Sequence, residues 1–307
     1  MDYDFIIIGG SAAGTAATIY ATRRGLRVLV IASNLGGEVA TSGEIENWPG
    51  IIHTDGITLA GQFRKHMEAY KPTILEGVKV KSFQKQGEGK FVVMTDDEKE
   101  YRGKSVLVAT GIHPRELGVP GEKEYRVKGI SYCTVCDGPL FSGKKVATIG
   151  GGNSALESAL MLADIAEHVT VINKNAQFKG ETVLIDGLAK KPNITVVYEA
   201  MTKDFFGEPG GFLKGLHYTD KAGETHELAV DGAFVHIGSL PNSGFVDSEV
   251  TKDQFGQIVV GMDGSTSMPG LFAAGDVTNV PHKQIIIAAG MGAAAALSAV
   301  QYINRLK

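Results

Sequence analysis

The sequence predicts an α/β protein containing two Rossmann-like dinucleotide-binding domains, and three observations carry that prediction. An apolar run, a glycine-rich turn and a helical stretch follow one another twice, first at Phe5 to Gly14 and again at Val146 to Ala155. Each time a second apolar run, Leu26 to Ile31 and then Val169 to Ile172, completes a βαβ unit. The chain's two cysteines, Cys133 and Cys136, fall between the two turns. Two dinucleotide folds with a vicinal thiol pair between them are a far more specific signal than any one of the three.

Size and charge bound the rest. At about 150 residues per domain, 307 residues accommodate two domains, each with its own core. A net charge of −4 without any basic run argues against a polyanionic partner such as nucleic acid. Two cysteines are too few for a disulfide-stapled secreted scaffold, so a reducing cytoplasm is the expected location. Met1-Asp2-Tyr3-Asp4 is acidic where a signal peptide is basic. The longest weakly polar stretch, Ile285 to Val300, falls short of the about 20 residues a bilayer requires. It reads as a buried helix, and no membrane span is expected.

In the first unit, Phe5-Ile6-Ile7-Ile8 is a fully apolar run of the kind a central parallel strand needs. The turn Gly9-Gly10-Ser11-Ala12-Ala13-Gly14 follows, and at Gly9, Ser11, Ala12 and Gly14 backbone is brought toward a pyrophosphate at a helix N-terminus. The match has two gaps. Ser11 stands where the middle glycine of G-x-G-x-x-G belongs, and Ala32-Ser33 replace the usual acidic residue after the second strand. Taken alone, this is as good a description of a plain glycine turn. The second turn, Gly150-Gly151-Gly152-Asn153-Ser154-Ala155, is a complete G-x-G-x-x-A fingerprint. Its candidate nucleotide contacts are Gly150, Gly152, Asn153, Ser154 and Ala155, while Glu157 reads as a helix-surface residue or a cofactor contact.

Cys133-Thr134-Val135-Cys136-Asp137 is the candidate catalytic segment. A two-residue spacing lets both sulfurs face each other across the first turn of a helix, where the N–H groups favour a thiolate. Asp137 follows directly and is positioned to give or take the exchanged proton. Half a zinc site is the competing use of such a pair, but no second Cys pair or His-x-x-x-His run supplies the missing ligands, so no metal is expected. Two buried thiols without chemistry remain the bland alternative.

With the Cys-Thr-Val-Cys-Asp segment, Gly36-Gly37-Glu38 and Glu44-Ile45-Glu46-Asn47-Trp48-Pro49-Gly50 resemble the low-molecular-weight thioredoxin reductases, FAD-dependent pyridine nucleotide-disulfide oxidoreductases. The resemblance implies that the second Rossmann-like domain is inserted into a discontinuous flavin domain. The flavin domain is then 1–114 and 243–307, and the pyridine-nucleotide domain carrying the CxxC is 115–242. It implies FAD contacts at Gly37, Glu38 and Asn47, at Ala109-Thr110-Gly111 where the chain leaves the flavin domain, and at Gly275-Asp276, where the carboxylate meets a ribityl hydroxyl. Gln284 and Ile285 would reach the isoalloxazine ring. Read without the resemblance, Trp48-Pro49-Gly50 is an ordinary turn, Gly275-Asp276 a turn or helix cap, His236 a core or edge histidine, and His282 an exposed one.

The resemblance also says where this chain departs from the pattern. NADPH-using members carry His-Arg-Arg…Arg after the second strand of the inserted domain, and here Asn173, Lys174, Asn175 and Lys179 stand there. Lysine is a point charge without the bidentate fork, so the phosphate clamp loses geometry. No acidic residue replaces it, although Asn173 can hydrogen-bond a ribose hydroxyl. NADPH is therefore doubtful, NADH better supported, and another donor such as ferredoxin or a deazaflavin stays open. Cys136 to Phe141 and Gly150 to Ser154 also resemble the flavoprotein component of alkyl hydroperoxide reductase, which carries an additional thioredoxin-like domain. A thioredoxin-like protein disulfide is the expected acceptor, and a homodimer the expected assembly. By resemblance Cys136 is the flavin-side sulfur and Cys133 the outer thiolate, with domain rotation about linkers 112–117 and 239–245. A flavin-dependent NAD(P)H oxidase and a non-enzymatic FAD-binding redox sensor are the competing readings.

Overall fold

The computed structural model describes residues 2–306, so the end residues 1 and 307 of the predicted flavin domain lie outside the described residues. The chain divides into two compact units, one of residues 1–42, 46–113 and 240–307, the other of 43–45 and 114–239. Residues 43–45 group with the second unit, which no local sequence signal anticipates.

The first unit is organised on a seven-stranded sheet. Phe5, Ile6 and Ile7 are fully buried because the Asp2–Gly10 strand is central, parallel on one side to Val28–Leu35 and on the other to Glu100–Val108. The outer edge of Glu100–Val108 is shared. Its first residues pair antiparallel with Lys90–Thr95, which continues to Val80–Gly87, and its last three pair parallel with Leu271–Ala273. Three parallel strands therefore end side by side, delivering Gly9, Ala109 and Ala274 to one edge, the edge where such sheets bind ligands.

Helix Ala12–Arg23 is covered by helix Ile285–Arg305. Their approach is close enough that a Cβ on Gly292 would overlap the backbone of Ala13, and Ala295, Ala296 and Ala299 are fully buried. This last helix corrects two expectations. It begins at Ile285, with Gln284 as its N-cap, but runs beyond Val300 to Arg305, and at that length it no longer falls short of a bilayer's span. At 21 residues, with a mean hydropathy of 1.6 over an 18-residue window, it is long and apolar enough to cross a bilayer, a test the core helix of a soluble protein also passes. A further helix, Gly56–Glu68, is started by Asp55, whose carboxylate accepts from Thr58 N at 2.8 Å.

The second unit holds a five-stranded parallel sheet in the order Ile130–Ser131, Gly232–Val235, Lys145–Ile149, His168–Asn173, Ile194–Tyr198. Strict alternation sends Val146 to one face and Ala147 and Ile149 to the other. Helices Asn153–Ala163 and Thr182–Ala189 cover the first face with Leu156, Ala159, Leu162 and Leu188. A three-stranded antiparallel sheet, Met201–Gly207, Leu213–Thr219 and Thr225–Ala229, covers the second with Phe205, Leu213 and Leu216. Burying both faces explains why the central strands read as continuous apolar runs.

Candidate functional site

In the first unit the glycine turn is shaped by its own packing. Gly9 has φ +116°, and a Cβ there would run into the carbonyl of Ala109, while one on Gly14 would run into the carbonyl of Gly9. Ser11 needs no glycine. Its backbone is extended at φ −100°, and its Oγ donates to Gly36 O at 2.5 Å, so the hydroxyl ties the first turn to the second, Gly36-Gly37. Ser11 is the N-cap of Ala12–Arg23 yet caps none of its N–H groups, and no acidic residue occupies the first turn. That combination leaves the helix end available to an anion.

Around this edge stand the other predicted flavin residues. Gly37 N donates to Asn34 Oδ1 at 2.9 Å, and the Glu38 carboxylate pairs with His113 Nδ1 and accepts from Thr41 Oγ1 at 3.2 Å. Asn47 and Gln284 are brought together, with Asn47 Nδ2 donating to Gln284 Oε1 at 3.2 Å, and Ile285 follows as the first helical residue. Ala109 N donates to Ile8 O at 2.8 Å, Thr110 exchanges hydrogen bonds with Asn242, and Gly111 takes φ +70°. Gly275, at φ +76°, sits against Ala13 and Ala288. His282 is exposed.

Asp276 is the informative member. Its Oδ1 is buried with no partner among the described residues. Burial raises its pKa to about 6, Glu38 adds to the rise, and Lys283 opposes it. Lys283 is itself held below the usual lysine range by burial, and its Nζ donates to the carbonyls of Asp276 and Thr278 at 3.1 and 2.6 Å. An orphaned buried acceptor is costly unless a donor meets it, and a polyol hydroxyl is such a donor. The residues fit the ribityl chain of FAD. Lys283 and His113 carry no site signal in the sequence: Lys283 stands between His282 and Gln284, and His113 has no local motif.

In the second unit Cys133 and Cys136 form a disulfide with Cα atoms 5.3 Å apart. Cys133 is the N-cap of the one-turn helix Thr134–Asp137, and Cys136 N donates to its Sγ at 3.3 Å. Ser131 Oγ donates to Asp137 Oδ2 at 2.5 Å and accepts from Cys133 N at 3.0 Å, coupling the carboxylate to the outer cysteine's backbone. Burial raises the Asp137 pKa, against the lowering effect of the Ser131 hydroxyl, which suits a group that must carry a proton. Nothing in the sequence marked Ser131.

The second fingerprint is also present as an uncapped helix start. Gly150, at φ +145°, would clash with the carbonyl of His236 if it bore a Cβ, and Gly151 would clash with Asn173. A Cβ on Gly152, the N-cap, would meet nothing within 4 Å, so the chain's own packing does not demand that glycine and the space in front of the helix start is open. Asn153 pairs reciprocally with Glu181, its Nδ2 donating to Oε1 at 2.9 Å and its Oδ1 accepting from Glu181 N at 2.8 Å. Ser154 and Glu157 are exposed and Ala155 is buried. Asn173 requires a correction. It is fully buried, its Nδ2 donates to Gln177 O at 3.0 Å, and its Oδ1 accepts from Asn175 N at 3.1 Å. Its amide shapes its own loop and is not presented to a ribose. Lys174 and Lys179 are exposed, and neither has an ion-pair partner among the described residues.

Two glycine-framed, uncapped helix starts and a disulfide on a one-turn helix define a dinucleotide-using disulfide oxidoreductase. The chain belongs to the pyridine nucleotide-disulphide oxidoreductase family, whose model matches residues 3–295. It is 42% identical over 305 residues to an alkyl hydroperoxide reductase component from Pseudomonas putida, covering 99% of this chain and 58% of that protein. A Bacillus subtilis protein named NADH dehydrogenase is 40% identical over 304 residues, with 99% and 59% covered. The chain thus spans under three fifths of the length of these curated relatives. Among solved structures, thioredoxin reductase from Streptococcus pyogenes superposes with a TM-score of 0.94 at 33% identity, covering 99% of this chain and 98% of that one. A thioredoxin reductase from T. acidophilum is 38% identical with a TM-score of 0.66, covering 100% and 99%. The family implies FAD and a pyridine nucleotide.

Proposed function

We propose that this protein is a thioredoxin reductase-type enzyme that reduces the disulfide of a thioredoxin-like protein. The observation that carries the reading is the Cys133–Cys136 disulfide, closed at the N-terminus of a helix with Asp137 held beside it. Bound FAD supplies the two-electron chemistry that links a nicotinamide donor to this disulfide. The chain's own residues do the rest. Gly9, Ser11, Ala12 and Gly14 offer the helix start to a pyrophosphate, and Asp276 accepts from the ribityl chain. Gly37, Glu38, Asn47, Ala109, Thr110, Gly111, Gly275, Gln284 and Ile285 frame the flavin. Once opened, Cys133 attacks the partner disulfide as the outer thiolate, Cys136 resolves the mixed disulfide, and Asp137 holds and returns the proton. The same reading expects a cytoplasmic homodimer.

For the donor, the turn at Gly150, Gly152, Asn153, Ser154 and Ala155 receives the pyrophosphate, and Lys174 and Lys179 supply charge without a fork. NADH is the donor this arrangement favours, since no arginine stands at positions 173–179 to clamp a 2′-phosphate, and Asn173, turned onto Gln177 and Asn175, adds nothing to that preference. Anaerobic mixing followed at the flavin absorbance band tests it. NADH is expected to bleach the flavin at least as fast as NADPH at equal concentration. NADPH faster by tenfold or more would refute the donor assignment, and no bleaching by either would redirect it to ferredoxin or a deazaflavin.

A further inference from the structure

Thr134 opens the dithiol helix and is 5% exposed. Its Oγ1 lies 2.6 Å from Ser158 Oγ and 2.9 Å from His236 Nε2. Ser158 is on helix Asn153–Ala163. His236 directly follows the central strand Gly232–Val235, and its N–H donates to Ile149 O at 2.8 Å. The anchors are therefore parts of the second unit's rigid frame, while the group they hold belongs to its shortest helix. Burial lowers the His236 pKa to about 4, so the imidazole is neutral near pH 7. A neutral ring has one bare nitrogen and one N–H, so the chain runs either from Ser158 through Thr134 to a bare Nε2 or from Nε2–H through Thr134 to Ser158.

One helical turn does not hold itself, because nucleating a helix costs more than a single turn returns. In the disulfide form the covalent ring keeps Thr134–Asp137 in shape. In the dithiol form that ring is gone, while Ser131 still ties Asp137 on one flank and Ser158 and His236 still tie Thr134 on the other. We propose that His236 is a positioning residue for the redox pair: with Ser158 it grips Thr134 and keeps the reduced helix in the geometry of the closed ring. The proposal rests on the redox reading of Cys133 and Cys136. Holding two thiols at closing distance raises the effective concentration of each for the other, which favours the disulfide. Releasing the grip lets the dithiol form relax and favours the reduced side.

The test equilibrates the FAD-loaded protein anaerobically with graded ratios of reduced and oxidised dithiothreitol. Each disulfide opened takes two electrons and two protons from one dithiothreitol, giving two cysteine thiols and the cyclic disulfide of the reagent. Alkylation and mass then give the fraction reduced. His236→Ala is expected to move the equilibrium about tenfold toward the dithiol, a midpoint about 30 mV less negative. His236→Gln, whose amide can either accept from or donate to Thr134, is expected to stay within about twofold of the parent, and Ser158→Ala to fall between. Thr134→Val should match His236→Ala, and the double variant should add nothing to either alone. A parent-like equilibrium in His236→Ala would overturn the proposal, as would a Gln variant shifted as far as the Ala variant. A parent disulfide that opens at no ratio would overturn the redox reading beneath it.

Discussion

Cys133→Ser is expected to lower turnover with a thioredoxin-like disulfide by about a thousandfold or more, because a hydroxyl neither forms the disulfide nor ionises near pH 7. Flavin content should be unchanged, since the predicted flavin contacts lie in the other compact unit. Reaction of the donor with oxygen should also persist, which separates this account from the oxidase reading, where protein-disulfide turnover is absent in the parent too. Cys136→Ser should lose the same activity but trap the partner, because Cys133 still attacks while nothing resolves the mixed disulfide. Incubation with partner followed by non-reducing electrophoresis reads this directly. Full disulfide turnover by Cys133→Ser would remove the dithiol from the mechanism.

The second large effect concerns Asp276. Its folded pKa is raised from 3.8 to about 6 by burial. A raised carboxyl favours the protonated state in the fold, so its contribution to stability is full below pH 4 and is lost as pH rises through about 6. The flavin-free protein should therefore gain stability at pH 8 from Asp276→Asn, on the order of 2 kcal/mol, and gain nothing at pH 3.5. The same change should weaken flavin retention, by about tenfold or more, because the amide is a poorer partner than a carboxylate for ribityl hydroxyls. Thermal unfolding at the two pH values and absorbance after gel filtration check the two halves. Equal stabilisation at both pH values would show that the carboxylate's ionisation is not what strains this corner.

Much of this architecture was legible because it is carried by local pattern. Phe5 to Ile8 and Val146 to Ile149 must be central strands, since only two-sided burial tolerates such runs. Gly9 and Gly150 mark backbone-on-backbone contacts that no other residue permits. The CxxC needed no structure to be noticed. What escaped depends on the path the loops take in three dimensions, whether the partners are near or far in sequence. Asn173 looked available to a ribose because its loop's path, which turns the amide inward onto Gln177 and Asn175, has no signature in spacing. Ser131 and Lys283 act on Asp137 and Asp276 through tertiary geometry, and Thr134, Ser158 and His236 converge from three elements. The last helix outran its predicted end because Gln301 to Asn304 look like a polar terminus, while Ile303 is in fact buried.

The central claim is that electrons from a nicotinamide donor reach the Cys133–Cys136 pair by way of the flavin. The most direct measurement is an anaerobic titration with NADH in which flavin absorbance and alkylatable thiols are read on the same samples. The account predicts that two thiols per chain appear, and that complete reduction takes two equivalents of NADH, one for the disulfide and one for the flavin. A flavin that bleaches fully with one equivalent while mass spectrometry finds the disulfide intact would contradict it.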